Sequence, residues 1–208
     1  MDKKKKNCWI FGGAPNNDYK ISPPNDTYII AADSGYSILK ELGIKPNLIL
    51  GDFDSYTYEL PKDCEIIKAV PEKDDTDTML AVKIALSRGY KDIVIAASIG
   101  GRLDHTFANI QTLAYILENG GYGYLCGEND IVHLLNVGEY TFEKINGMYF
   151  SIFSYSEKAT VTTCGTKYNL SEYCLTNKFP LGVSNEIISD KCCINVKNGQ
   201  ILVIFSKM

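Results

Sequence analysis

The chain is poor in the residues on which several common chemistries depend. It has two histidines and one tryptophan, Trp9. Its seven cysteines, Cys8, Cys64, Cys126, Cys164, Cys174, Cys192 and Cys193, include no C-x-x-C pair, which argues against a zinc centre. An odd number of thiols, several in apolar strand-like runs, reads as reduced cysteine in a cytosol-like compartment. No apolar stretch approaches the roughly 20 residues needed to span a bilayer. The one basic cluster, Lys3 to Lys6, is followed only by Cys8-Trp9-Ile10-Phe11 before Gly12-Gly13. That is too short for the apolar core of a signal peptide, so the segment reads as a solvated tail leading into a strand. A soluble, cytoplasmic protein with no membrane partner is expected. A net charge of −4 and a pI near 5.3 leave no electrostatic footprint for nucleic acid. A Walker loop, a G-x-G-x-x-G loop, and Ser/His/Asp or Cys/His arrangements are all missing.

With 208 residues, 45% of them hydrophobic and 22% charged, the chain suffices for one large domain or two small ones. Up to about Leu125, short β-rich runs alternate with helical ones. Strands are predicted at Cys8 to Phe11, Tyr28 to Ala32, Leu48 to Leu50, Glu65 to Val70, Ile93 to Ala97 and Tyr122 to Cys126. Helices are predicted at Tyr36 to Leu42, at Asp77 to Arg88 with Met79, Val82 and Leu86 on one face, and at Asp104 to Asn119 with Phe107, Ile110, Ala114 and Leu117 on one face. This alternation implies α/β architecture with a mostly parallel sheet. After about Asp130 the helical period disappears and strand-like runs recur, the last two separated by Asn198-Gly199, a hairpin signal. The expected organisation is an N-terminal α/β domain over 1–129 and an all-β domain over 130–208, with the boundary near Glu128 to Ile131.

Four polar clusters fall where predicted strands of the first domain end, the usual place for a ligand in α/β proteins. The first, Ala32-Asp33-Ser34-Gly35, is also readable as helix capping by Asp33 or Ser34. In the second, Gly51-Asp52-Phe53-Asp54-Ser55, an extended chain would aim Asp52 and Asp54 the same way, as a magnesium anchor or a solvated turn. The third, Lys73-Asp74-Asp75-Thr76-Asp77, crowds three acids at a helix start, where Thr76 or Asp75 could cap. A cation or a Lys-bound phosphate would relieve the repulsion. The fourth runs from Ser98 through Gly100, Gly101, Arg102 and Asp104 to His105. Its glycines permit close backbone approach, and Arg102 can grip phosphate oxygens in a bidentate way. Asp104 is readable as a simple N-cap, and His105 as a polar residue rather than a metal ligand. Acids for a divalent cation, with Lys and Arg for phosphate, point to transfer of a phosphorus group.

Over nearly its whole length the chain resembles the thiamine pyrophosphokinase (thiamine diphosphokinase) family. The resemblance rests on Ala-Asp-Ser-Gly at 32–35, Gly-Asp-Phe-Asp-Ser at 51–55, Lys-Asp-Asp-Thr-Asp at 73–77, Gly-Gly-Arg-Leu-Asp-His at 100–105 and Asn109. In the second half it rests on Gly165 to Leu170 and on Gly182-Val183-Ser184-Asn185-Glu186. It implies a Rossmann-like domain binding magnesium and ATP, a β-sandwich domain binding thiamine, and a homodimer with active sites at the subunit interface. The implied reaction moves the terminal pyrophosphate of ATP to the hydroxyethyl oxygen of thiamine, releasing AMP. By motif position Asp52, Asp54 and Asp77 would hold magnesium, with Asp77 also near thiamine. Asp33, Ser34, Ser55, Lys73, Asp74, Thr76, Gly100, Gly101, Arg102, His105 and Asn109 would surround ATP. Ser184 and Asn185 would lie near thiamine. Asp77 or Asp104 would accept the hydroxyl proton. The chain departs from the family in reading Gly-Thr-Lys-Tyr at 165–168, without the Leu that many relatives carry before the Lys, and in having no Trp in its second half. Two other readings of the same residues are a pyrophosphokinase for another hydroxymethyl heterocycle, such as a pterin, and a non-catalytic nucleotide or thiamine diphosphate sensor.

Overall fold

The computed structural model describes residues 7–14, 22–52, 61–68 and 74–208. They divide into two compact units, Met1–Glu128 and Asn129–Met208.

In the first unit the strands β1 (Asn7–Phe11), β2 (Tyr28–Ala32), β3 (Leu48–Gly51), β4 (Glu65–Lys68), β5 (Asp92–Ala96) and β6 (Tyr122–Cys126) form a parallel array in the order β6-β5-β1-β2-β3-β4. Cys8, Trp9, Ile10 and Phe11 of β1 are all buried, as are Leu48, Ile49 and Leu50 of β3. Consecutive buried residues mean that both faces of the sheet are covered, which is why these strands read as continuous apolar runs rather than alternating ones. Three helices, α1 (Gly35–Glu41), α2 (Asp77–Ser87) and α3 (Leu103–Glu118), connect them. Because β2 lies on one side of β1 and β5 on the other, the chain reverses its direction of winding at β1. The carboxyl ends of β1 and β5 therefore diverge into a crevice.

The long helix α3 buries a face other than the one predicted, and α2 buries the predicted Val82 with two alanines instead of Met79 and Leu86. In α3 the buried residues are Asn109, Thr112, Leu113 and Ile116, while Phe107 is 59% exposed. The polar pair can go inside because each finds a partner: Asn109 Nδ2 donates to the Ser98 carbonyl at 2.8 Å and Thr112 Oγ1 to the Ala108 carbonyl at 2.9 Å. In α2 the buried face is Ala81, Val82 and Ala85, small residues that allow close packing on the sheet, and Met79 and Leu86 lie at its margin.

The second unit contains strands only among its described residues. One layer runs β12 (Gly182–Asn185), β9 (Met148–Ser154), β14 (Ile201–Lys207), β7 (Asp130–Leu135), and the other runs β11 (Tyr173–Thr176), β10 (Lys158–Cys164), β13 (Lys191–Asn198), β8 (Gly138–Glu143). Every recorded pairing within these layers is antiparallel. Alternate residues point inward, as Ala159, Val161 and Thr163 do on β10 and Ile201, Val203 and Phe205 on β14. Rings join the layers: Phe142 of β8 lies 5.7 Å from Phe205 and 6.2 Å from Phe150, and His133 of β7 lies 5.0 Å from Phe142.

The Asn198-Gly199 turn does not close a hairpin. β13 pairs with β10 and β8, whereas β14 pairs with β7 and β9, so the turn carries the chain from one layer to the other. Gly199 has φ +74°, but Asn198 is not in the left-handed region that a type I′ turn needs at both central positions. The short strands β11 and β12 escape sequence reading because they are four-residue edge strands in which half the residues are exposed.

Candidate active site

The crevice at the ends of β1 and β5 is a cleft of about 370 Å³ whose described lining residues belong to the first unit. Its floor is backbone. Gly12 N donates to the Ala96 carbonyl and Ala14 N to the Ala97 carbonyl, both at 2.9 Å, which carries the chain past the end of β1 alongside β5. A Cβ on Gly12 would stand 2.7 Å from the Ala97 carbonyl oxygen, and one on Gly35 only 2.0 Å from that of Phe11. Only glycine allows these segments to approach so closely.

Three strand ends deliver the polar rim. Asp33 follows β2 with its N–H bonded to the Leu50 carbonyl at 2.8 Å, and it adopts φ +50°. Ala97, after β5, has φ +52°. Left-handed backbone at a non-glycine residue costs about 1–2 kcal/mol, and two of the residues lining this cleft carry it. Asp75, Thr76 and Asp77 arrive at the start of α2, and Gly100, Arg102, His105 and Asn109 at the start of α3.

Local contacts fix much of this rim. The Thr76 hydroxyl accepts from Met79 N at 3.1 Å, so Thr76, not Asp75, caps α2. Asp75 is instead held by Lys83, whose ammonium reaches both carboxylate oxygens at 2.7 Å. That ion pair raises the lysine pKa and relieves part of the acidic crowding. Asp104 is not the N-cap of α3. Arg102 occupies that position, and its guanidinium holds the Asp104 carboxylate at 2.6 and 3.2 Å while the same carboxylate accepts from His105 N. The arginine keeps the Asp104 carboxyl below its usual range and is itself raised. Ser34 stands at the N-cap of α1, yet its side chain caps nothing and lies 3.5 Å from Asp33 Oδ2.

Of the residues expected around ATP or magnesium, the cleft brings together Asp33, Ser34, Thr76, Asp77, Gly100, Arg102, His105 and Asn109. Asp52, Asp74, Gly101 and Asp104 do not line it. Asp54, Ser55 and Lys73 lie outside the described residues. Among the described residues no three His, Cys, Asp or Glu side chains converge tightly enough to hold a metal, and the expected trio includes Asp54. Sequence reasoning missed Gly12 and Gly13, and it counted Ser98 and Asp75 in its polar clusters without giving them a binding role. The available signal for the glycines was their place directly after the first strand.

In the second unit Ser184 is exposed, adopts φ +55° and donates its N–H to Ser151 Oγ at 3.0 Å. Asn185 is buried, and its side chain clamps the Tyr168 backbone: Oδ1 accepts from Tyr168 N at 3.1 Å and Nδ2 donates to the Tyr168 carbonyl at 2.9 Å. Lys167 pairs with Glu186 at 2.8 Å. The clamp leaves the Tyr168 ring 64% exposed.

A backbone floor under a rim of carboxylates and one guanidinium suits a polyphosphate carried with a cation, and defines a transferase of phosphorus groups. Residues 22–121 match the family described as thiamin pyrophosphokinase, catalytic domain, and residues 139–201 match thiamin pyrophosphokinase, vitamin B1 binding domain. The chain is 32% identical to the thiamine pyrophosphokinase of Bacillus subtilis (strain 168), across 95% of this chain and 97% of that protein. The solved thiamine pyrophosphokinase structure from Bacillus subtilis has a TM-score of 0.90 at 29% identity, covering 98% of this chain and 100% of that one. The thiamin pyrophosphokinase from Geobacillus thermodenitrificans gives 0.85 at 27%, covering 97% and 98%. The chain belongs to the thiamine pyrophosphokinase family, and it is an enzyme.

Proposed function

We propose that the chain transfers the pyrophosphoryl group of ATP to the hydroxyethyl oxygen of thiamine, giving thiamine diphosphate and AMP. The observation that carries this reading is the convergence of Asp33, Asp75, Asp77 and Arg102 on one cleft at the winding reversal of a parallel sheet. We read the first unit as a Rossmann-like ATP domain over 1–129 and the second as a thiamine-binding and dimerising β-sandwich over 130–208. The match of the second half to a vitamin B1 binding domain favours thiamine over a pterin as acceptor.

Among the described residues, the cleft's candidate metal donors are the carboxylates of Asp33, Asp75 and Asp77 and the imidazole of His105, a set that fits a hard cation such as magnesium. Asp77, in the cleft, is a proposed holder, together with Asp52 and Asp54 on the motif reading alone. Bound there, the ion would neutralise polyphosphate charge and polarise the phosphorus–oxygen bonds. Arg102 would exchange its Asp104 partner for phosphate oxygens in the same bidentate geometry, and Lys73 would add a second positive charge. The glycine floor lets the nucleotide sit against backbone. Asp77 lines the cleft and Asp104 does not, so Asp77 is assigned the hydroxyl proton. In the second unit Ser184 would contact thiamine, with Asn185 acting through the Tyr168 loop that it clamps. Tyr168 offers an exposed ring in a half of the chain that has no tryptophan.

The protein is proposed to work in the cytoplasm as a homodimer with active sites at the subunit interface, without nucleic-acid or membrane partners. Among the described residues no helix is long and apolar enough to cross a membrane. Incubation with Mg·ATP and thiamine tests the reaction. AMP and thiamine diphosphate are expected in equal amounts, and ADP as the product would overturn it.

A further inference from the structure

All seven cysteines are free, and the three exposed ones lie on the layer formed by β11, β10, β13 and β8. Their positions in the register differ in one decisive way. Cys164, the last residue of β10, stands directly opposite Cys193 on β13. Strand alternation turns both outward: Thr163 and Cys192, their neighbours, face the core, and Cys164 and Cys193 are exposed. Directly opposed residues of an antiparallel pair have Cα atoms about 4.5–5.5 Å apart, which falls within the span that a disulfide bridges. Cys174, on the same face, is opposed by Thr160 instead. Cys192 is adjacent to Cys193 in sequence but points to the other face. On its far side Cys193 meets Thr141, with Oγ1 3.9 Å from its sulfur.

We propose that Cys164 and Cys193 form an exposed cross-strand dithiol that closes reversibly to a disulfide with peroxide and chelates thiophilic reagents. In the oxidation, one thiolate sulfur attacks a peroxide oxygen, the O–O bond breaks, and a sulfenic acid and one water form. The second thiol then attacks the sulfenic sulfur. The S–S bond forms, the S–O bond breaks, and a second water leaves. Two thiols are oxidised by two electrons in all, and one peroxide is reduced to two waters. A small dithiol reductant reverses the bond by exchange. The bond would close residues 164–193 into a covalent loop containing the Gly165–Leu170 turn and Asn185. The proposal stands independently of the assigned reaction.

The test treats the reduced full-length protein with stoichiometric hydrogen peroxide, blocks remaining thiols, and maps peptides without reduction. The expected product is one crosslinked peptide pair joining Cys164 to Cys193, lost on treatment with dithiothreitol, while Cys174 stays alkylatable. Phenylarsine oxide should protect Cys164 and Cys193 together from iodoacetamide and leave Cys174 reactive. In Cys193→Ser and, separately, Cys164→Ser, both the crosslink and the arsenical protection should vanish, with circular dichroism and activity under reducing conditions matching the parent. Independent oxidation of the two thiols, a crosslink that uses Cys174, or a link only between chains would overturn the proposal.

Discussion

The Asn109 side-chain amide and the Ser98 carbonyl meet at 2.8 Å inside the first unit, tying the first turns of α3 to the segment that leaves β5. Both residues are almost fully enclosed, at 7% and 4% exposure, so the bond is largely shielded from bulk water. Ser98 is held a second time through its hydroxyl, which donates to the Ile95 carbonyl at 2.8 Å.

Asn109→Ala should therefore cost about 1–3 kcal/mol of stability, the cost of orphaning a buried carbonyl. Asn109→Asp should do no better, because an ionised carboxylate cannot donate to the carbonyl. Urea denaturation measures both. Equal stability of Asn109→Asp and the parent would show that the amide donor is dispensable.

Neighbouring residues at the start of α2 should separate folding from chemistry. Thr76→Ala removes the cap that accepts from Met79 N and should lower stability by about 1 kcal/mol. Asp77→Asn should leave stability nearly unchanged and reduce kcat at least about 100-fold, as expected when several kcal/mol of charge compensation are lost. Steady-state kinetics beside urea melts gives the comparison.

Arg102 and Asp104 offer a charge-swap test. Arg102→Lys retains the charge but loses the planar fork, and the KM for ATP should rise about tenfold or more. Asp104→Asn removes the carboxylate that occupies the guanidinium and should raise that KM far less, or lower it. A larger defect for Asp104→Asn than for Arg102→Lys would mean that the aspartate, not the arginine, meets the nucleotide.

His133 makes the second unit sensitive to acid. Burial lowers its pKa from 6.5 to about 4 in the folded protein, whereas the unfolded chain takes up the proton near its ordinary value. Between these values the unfolded state binds more protons. Stability is therefore full above about pH 6.5, declines as pH falls toward 4, and loses up to about 3 kcal/mol to this group. His133→Leu should flatten that part of the curve, measured by urea melts from pH 7 to pH 4.

The strands of the first unit were legible because central parallel strands are apolar throughout, and β1 and β3 stand where continuous runs predict them. The helix faces were misread for a related reason. Periodicity counts apolar residues, whereas in α3 Asn109 is buried through the Ser98 carbonyl outside the helix and Thr112 through the Ala108 carbonyl one turn back. Asn198-Gly199 was misassigned because a turn sequence fixes local backbone and not the layer into which the next strand inserts. The acidic and basic rim could be read as motifs. Pairings such as Lys83 with Asp75 could not, since only the helix brings residues eight positions apart into register with the cleft.

Gly12 and Gly35 leave no clearance beneath the cleft, since a Cβ on Gly12 would stand 2.7 Å from the Ala97 carbonyl oxygen and one on Gly35 2.0 Å from that of Phe11. A surface made of peptide units cannot be retuned by exchanging side chains. Selection or engineering that alters what this enzyme accepts must therefore act on the rim and on the second unit, while substitutions along the floor would be removed as folding failures before their effect on specificity could be seen.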